Sequence, residues 1–361
     1  MKNHFSPYIY LRALRHAEHT VFAVQNGQKF YYDPQFGTRM AYSSGQQVKR
    51  SIMEELTSLL GEPHAPITFN WEISKENKAQ QKEPHSPCDP TYADQLLGGY
   101  MKAETGEYVI KRRSPLSISA MRPLHPRLGG LETVSEDATF DRSAHPEQHI
   151  IRVSRMEGGK RVELTKEELE EWLISNNRNL PLRNWISGLT RASGLFVYDV
   201  AIDLRTLFCV SLNRLEPELT LKTEEKLRQA GWLEGRNAFG PCLICPRERR
   251  EQLIPALAHA LLNWRITSNQ SRTFSLMETL AIAISNNANQ VAFAIRGELS
   301  EDMGDQPGAI PILDENAKAK LFVTPACAGY IAGAKGSIDA IERAEQYLVE
   351  QLRAFDYENQ H

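Results

Sequence analysis

The stretch Tyr42-Ser-Ser-Gly-Gln-Gln-Val-Lys-Arg50 sets hydroxyl and amide side chains directly ahead of a helical apolar pattern. A helix N-terminus carries unpaired backbone N–H groups and a partial positive charge. Ser43, Ser44, Gln46 and Gln47 would add neutral donors to it, and Lys49 and Arg50 lie one turn on. Phosphate is the natural ligand for that set, and a plain N-cap with solvated basic residues is the alternative. A second candidate is Arg265-Ile-Thr-Ser-Asn-Gln-Ser-Arg272, which follows a long helical pattern and offers Asn269, Gln270, Ser271 and Arg272. Loops in that position carry binding groups on a rigid scaffold, and the arginine fork matches phosphate. The competing reading is a hydrogen-bonded helix C-terminus, where arginine favours the dipole. The third candidate, Lys111-Arg112-Arg113-Ser114-Pro115, puts three cations after a short strand, either as a polyanion contact or as a solvated loop.

Enzyme signatures are thin. Asp199 and Asp203 share a strand face but stand four residues apart. At about 3.3 Å per residue that is roughly 13 Å, too far to share one metal ion, so solvation or pairing with Arg205 is expected. Cys242-Leu-Ile-Cys245 is a lone C-x-x-C and reads as buried strand cysteines. There is no Walker loop and no G-x-S-x-G, so no catalytic residue, metal or cofactor is expected.

The elements that must position these residues follow from periodicity. Tyr8 to Leu14 alternates like a half-buried strand, Lys29 to Tyr32 is extended up to the turn Asp33-Pro34, and Val48, Ile52, Leu56 and Leu59 mark a helix that stops at Gly61. Between about 62 and 165 proline, histidine and charge dominate, which predicts an insertion without a core of its own. Thr165 and Glu168 form a capping box before a helix. In Leu195 to Leu204, Phe196, Tyr198, Val200, Ile202 and Leu204 share one face of a strand. Residues 205 to 245 are ambiguous. A long helix then carries Leu253, Leu257, Leu261 and Trp264; Leu280 to Ile284, Val291 to Ile295 and Leu321 to Val323 read as strands; and a helix closes the chain from Ser337 through Phe355. Irregular interleaving of this kind predicts an α+β sheet covered by helices.

The 361 residues carry Lys+Arg 42 against Asp+Glu 45, a net charge of -3, which by itself does not announce a nucleic-acid binder. Clustering at Lys49-Arg50, at Lys111 to Arg113 with Arg122 and Arg127 beyond, and at Arg247, Arg249 and Arg250 allows a basic track on a near-neutral body. Five cysteines, an odd count, and the lack of an apolar run of about 18 residues read as a reducing, cytoplasmic setting with no membrane partner.

The strand, the turn segment YYDPQFGTRMAY and SSGQQVKRSIMEEL, followed in order by KRRSPLSISAMRP (111 to 123), GLFVYDVAIDL (194 to 204) and ALLNWRITSNQSRTFS (260 to 275), resemble the backbone subunit of type I CRISPR Cascade complexes, in the DevR-like branch of the RAMP superfamily. The resemblance implies a modified RRM or ferredoxin-like palm (1–61, 191–204 and 246–361), a fingers insertion (62–190) and a thumb hairpin (205–245). It implies copies of the chain polymerising along one guide RNA (crRNA), with other Cascade subunits and a target DNA strand as partners. Ser43 to Arg50 and Asn269 to Arg272 become guide contacts, and Lys111 to Arg113 a contact to guide or target. Leu207, Phe208 or Leu215 becomes the apolar thumb tip. RNA-cutting relatives in type III complexes use an aspartate before the first helix, and Asp33 lies in the corresponding stretch but within a turn sequence. An unrelated soluble enzyme with scattered site residues is the remaining reading.

Overall fold

The computed structural model describes residues 6–22, 28–73, 76–103, 109–141, 147, 149–181, 183–266, 273–300 and 308–360. Its central strand, β1 (Tyr8–Thr20), buries Ile9, Leu11, Ala13 and Ala17 on one side and Leu14 on the other. Helix α1 (Gly45–Leu60) buries Val48, Ile52 and Leu56 at helical spacing. Its Ser44 side chain accepts from the Gln47 N–H, and Gly61, left-handed at φ 64, ends it. Then come β2 (Gly129–Asp141), β3 (Arg183–Asp203), α2 (Arg247–Asn263), β4 (Thr279–Ser285), β5 (Lys320–Val323) and α3 (Ala340–Arg353).

The sheet runs in the order β2-β3-β1-β4-β5, with the short strands Leu116–Ile118 and Arg122–Pro123 also on β3. β1 is antiparallel to both neighbours, Leu11 lying opposite Val200 on one side and Ile284 on the other. β4 and β5 are antiparallel as well. The mixed α+β class expected from the sequence is the one observed. Phe196, Tyr198, Val200, Ile202 and Leu204 are all buried in the larger core, against α1, α2 and α3.

The opposite face is also covered. Leu14, Val197, Leu280, Ala281 and Ala283 pack with Val291, Ala294, Ile295, Cys327 and Ile331. This layer corrects one expectation: Val291 to Ile295 is not a strand but the end of a helix, Ala288–Ala294, and a strand begins only at Ile295. Asn287 explains the difference. Its side chain accepts from the Asn289 N–H and caps a helix where the apolar run alone reads as a strand.

Residues 205–245 form a three-stranded sheet in the order Cys209–Ser211, Gly240–Ile244, Leu233–Asn237, with the helix Leu221–Gln229 inserted between its first two strands in sequence. The insertion expected over 62–190 divides. Residues up to Leu131 cluster with Ala192–His361, whereas Glu132–Arg191 form a compact unit of their own. That second unit holds the hairpin Ser154–Glu157 with Lys160–Glu163 and the helix Lys166–Ser175, whose capping box between Thr165 and Glu168 is formed. Among its described residues no apolar side chain is buried, as its composition predicts.

One core interaction ties β1 to α2. Arg15 is buried, its guanidinium donating to the carbonyls of Leu262 (2.9 Å) and Trp264 (3.0 Å) while lying 4.4 Å from the Trp264 ring centroid. Burial lowers its pKa from the usual value. The guanidinium closes carbonyls that the helix end leaves open. Arg15→Met is expected to lose about 2–4 kcal/mol in urea denaturation, because two buried carbonyls lose their donors. Arg15→Lys should lose less, and an unchanged midpoint for Arg15→Met would refute the capping role.

Candidate nucleic-acid interface

The N-terminus of α1 faces protein. The Ser43 backbone exchanges hydrogen bonds with Met121 at 3.0 Å in both directions, and a Cβ on Gly45 would lie 2.6 Å from the Ile118 carbonyl oxygen. Glycine is required there for the close approach. Ser43 is a buried position, Ser44 serves as the cap, Gln47 is partly buried and Gln46 is exposed. Arg50 points to solvent and pairs with Glu54 four residues on, at 2.8 Å. Lys49 turns inward and donates to the carbonyl of Gly98, at the end of the short helix Ala93–Gly98. Burial, and then the nearby charge of Arg112, lowers its pKa from 10.5 to about 8.

Lys49 and Arg112, members of two clusters far apart in sequence, are thus brought together. Ser114 donates to Leu97 O at 3.2 Å, tying the basic segment to the same short helix. Arg112 is buried, its Nη1 donating to Arg113 O (3.1 Å) and its Nη2 to Thr206 O (2.9 Å). Lys111 and Arg113 on either side of it are exposed. The two conditions follow from strand alternation around a short hairpin, Tyr100–Lys102 with Ile110–Arg112.

Lys111, Arg112 and Arg113 line a cleft of about 800 Å3 whose other wall is the 205–239 segment. There Arg205 forms a bidentate pair with Asp203 (2.8 Å to each oxygen) and donates to the Tyr8 hydroxyl at 2.6 Å. Its guanidinium carbon lies 4.9 Å from the Tyr8 ring centroid and 4.8 Å from that of Phe239. Burial and the Asp203 carboxylate raise the Tyr8 pKa, so its hydroxyl stays protonated. Phe239 sits in the two-residue loop of the hairpin Leu233–Asn237 with Gly240–Ile244. Asn237 holds that loop by accepting from the N–H groups of Phe239 (2.9 Å) and Gly240 (3.2 Å). Sequence reasoning passed over this Tyr8–Arg205–Phe239 stack; an Asn followed by Gly three residues later was its only local signal.

Of the three apolar tip candidates, Leu215 is 93% exposed at the cleft rim. Leu207 and Phe208 are corrected: both are completely buried, Phe208 edge-on to Tyr357 at 5.0 Å, so neither can reach a ligand. Asn269, Gln270, Ser271 and Arg272 lie outside the described residues. Asp203 pairs with Arg205 as expected, but Asp199 is held by Arg12 (2.6 Å) and Arg122 (3.3 Å) instead. The Asp33 carboxylate accepts from the N–H groups of Gln35 (3.0 Å) and Phe36 (2.8 Å), the turn its sequence predicts. The five cysteines are free and buried. Among the described residues no group of three or more His, Cys, Asp or Glu side chains is placed to hold a metal ion, and no helix is long and apolar enough to cross a membrane.

No family model matches the chain, and no curated protein matches it. Among solved structures, a chain of a "CRISPR RNA-guided surveillance complex" is similar at 11% identity and TM-score 0.37, over 96% of this chain and 84% of that one. A chain of a "CRISPR RNA-guided surveillance complex, pre-nicking" is similar at 11% identity and TM-score 0.43, over 96% of this chain and 89% of that one. At that level of likeness a functional reading stands on this chain's own residues.

The Lys49 environment yields a pH test. Unfolded, Lys49 titrates near 10.5, against about 8 when folded. Charging it inside the fold is therefore a cost fully present below pH 8. Between the two values the unfolded chain binds more protons, so this group makes stability rise with pH. Lys49→Met removes that contribution. Urea denaturation at about pH 7 and about pH 9.5 should show wild type gaining on the variant at the higher pH. A constant difference between the two would refute the buried-ammonium account.

Proposed function

We propose that this chain is a guide-RNA-binding backbone subunit of a type I CRISPR interference complex, which holds the strand by phosphate contacts and performs no cleavage. The observation that carries this reading is the cleft, in which the exposed Lys111 and Arg113 face an aromatic and arginine stack across a space of about 800 Å3, with Leu215 exposed at its rim. Cations for phosphates, rings for bases and an apolar tip make the combination suited to a single strand. Sequence then need not be read by the protein, because specificity passes to base pairing by the held strand.

The palm assignment draws support from topology. The chain order β1-α1-β2-β3-α2-β4, with β4-β1-β3-β2 as the order in the sheet and β5 added outside β4, is that of a ferredoxin-like unit. On this reading 205–245 acts as the thumb, and segments within 62–190 as fingers. Further copies of the chain, other Cascade subunits and a target DNA strand are the partners. Asp33 is a turn residue rather than a nucleophile's base, so matched target RNA incubated with the assembled protein and magnesium ions should remain intact.

The charge test is quantitative. Neutralising two phosphate contacts with Lys111→Gln and Arg113→Gln should weaken single-stranded RNA binding and flatten the slope of log K against log salt by about 1.4. Both effects are read by fluorescence anisotropy across a salt series. If affinity and slope both match wild type, the cleft is not the RNA track.

A further inference from the structure

A second surface has the chemistry to meet nucleic acid, outside the cleft and apart from the residues named above as guide contacts. The strands Phe30–Asp33 and Thr38–Ala41 form a hairpin in which Tyr32 lies opposite Arg39 and Phe30 opposite Ala41. Residues opposite one another, and residues two apart, share a face. Phe30, Tyr32 and Arg39 therefore stand together. Phe30 is 47% exposed and Tyr32 63%, and the Arg39 guanidinium carbon lies 5.1 Å from the Phe30 ring centroid. The reverse face is committed to the protein: Met40 is buried, and Tyr31 packs edge-on to Tyr42 at 5.7 Å.

The base of the hairpin is fixed. The buried Gln28 side chain accepts from the Phe22 N–H (2.6 Å) and donates to the carbonyls of Lys29 (2.6 Å) and Tyr42 (3.1 Å). The tip is fixed as well, by the Asp33 turn. Rings on such a support do not have to be ordered when a ligand arrives.

What this face fits follows from charge and size. Arg39 has no acidic partner among the described residues, so its charge is open to an anion. Three half-exposed planar groups present on the order of 300 Å2, well short of the roughly 800 Å2 per partner that a stable protein contact requires. They match one or two bases with an adjoining phosphate. Ile67 and Phe69, with Trp71 and Ile73 of the short strand that follows them, make an instructive contrast. All four are exposed and apolar with no cation among them in sequence, and nothing in the structure says what covers them.

We propose that the Phe30–Tyr32–Arg39 face is a stacking platform for unpaired bases of a single strand, a contact separate from the phosphate track of the cleft. It rests on the reading of the chain as a holder of nucleic acid. Guide RNA and displaced or target DNA carry the same chemistry, and the test separates them. Full-length protein is titrated by anisotropy against labelled oligouridylate, oligothymidylate and an abasic oligomer of equal length. The double variant Phe30→Ala with Tyr32→Ala should bind a base-bearing strand about tenfold or more weakly and the abasic strand as wild type does; Arg39→Gln should weaken all three. Loss confined to oligouridylate assigns the platform to RNA, and loss confined to oligothymidylate assigns it to DNA. Phe30→Tyr should keep wild-type affinity, and matched thermal unfolding of the variants excludes misfolding. Photocrosslinking of wild type to strands carrying 4-thiouridine or 4-thiothymidine, mapped by mass spectrometry, needs no variant and should mark the 30–39 peptide.

Equal affinity of the double variant for base-bearing strands overturns the platform, as does a crosslink map that omits 30–39. A change of oligomeric state without a change of strand affinity overturns it in favour of a protein contact. If Lys111→Gln with Arg113→Gln weakens binding while Phe30→Ala with Tyr32→Ala does not, the platform alone falls. If wild type binds no strand at all, the functional reading falls and the platform with it.

Discussion

Strand β1 is hydrogen-bonded on both edges and carries a packed apolar layer on each face, so a ligand meets the sheet at its margin, where Tyr8 and Asp203 line the cleft, and through the segments that extend beyond it. An ordinary RRM leaves one sheet face open and stacks bases on it. Here that face carries Leu14, Val197, Ala281 and Ala283 packed with residues of the Ala288–Ala294 helix, and its Arg12 is already engaged. Arg12 is bonded to Asp199 and to the Ile295 carbonyl (3.0 Å). Burying both faces gives a rigid sheet and removes the base-reading surface in the same step. Under the proposed function the strand is held through the segments around 109–115, 205–239 and 28–41 rather than read across the sheet.

Charge is allocated by the same logic. The near balance of 42 basic and 45 acidic residues conceals a division between cations spent inside the fold and cations left to solvent. Arg15 and Arg112 close carbonyls. Arg249 is bidentate on Glu62 at 2.5 and 2.6 Å, and Arg250 sits on Glu358 and near the Tyr357 ring. Lys111, Arg113 and Arg39 remain exposed. Burying an arginine without a partner costs far more than a surface ion pair returns, so the inward cations are tightly specified and the outward ones are open to functional use.

Periodicity explains which parts could be read from the chain in advance. Where apolar residues repeat over many positions, as in β1, the 195–204 strand, α1 and α3, the burial that fixes the element is written into local spacing. Where one side chain decides, spacing misleads. Asn287 turns an apolar run into a helix, and the burial of Phe208 draws on Tyr357, far along the chain. Of the site, the Lys111 to Arg113 run was legible because it is contiguous. The Tyr8–Arg205–Phe239 stack was not, because three separate elements supply one ring or charge each. Even within the contiguous run, the alternation that buries Arg112 between two exposed cations is a property of the hairpin rather than of composition.

The first helix shows how a signal can be chemically sound and yet differently used. Its hydroxyl-rich start has the features of an anion site, and one side of it is packed against protein: Gly45 leaves room for the Ile118 carbonyl, and Ser43 is bridged to Met121. The chain entering the helix is thus fastened, through Ser43, to the segment that pairs with β3. That fastening matters for the cleft. Through Lys49 and Gly98, and through Ser114 and Leu97, the same helix reaches the basic segment, so Lys111 and Arg113 stand on backbone braced from two sides. Exposed cations on a flexible loop would lose much of their Coulombic gain to ordering. Set on a braced hairpin, they retain it, and through Lys49 the first helix takes part in that bracing.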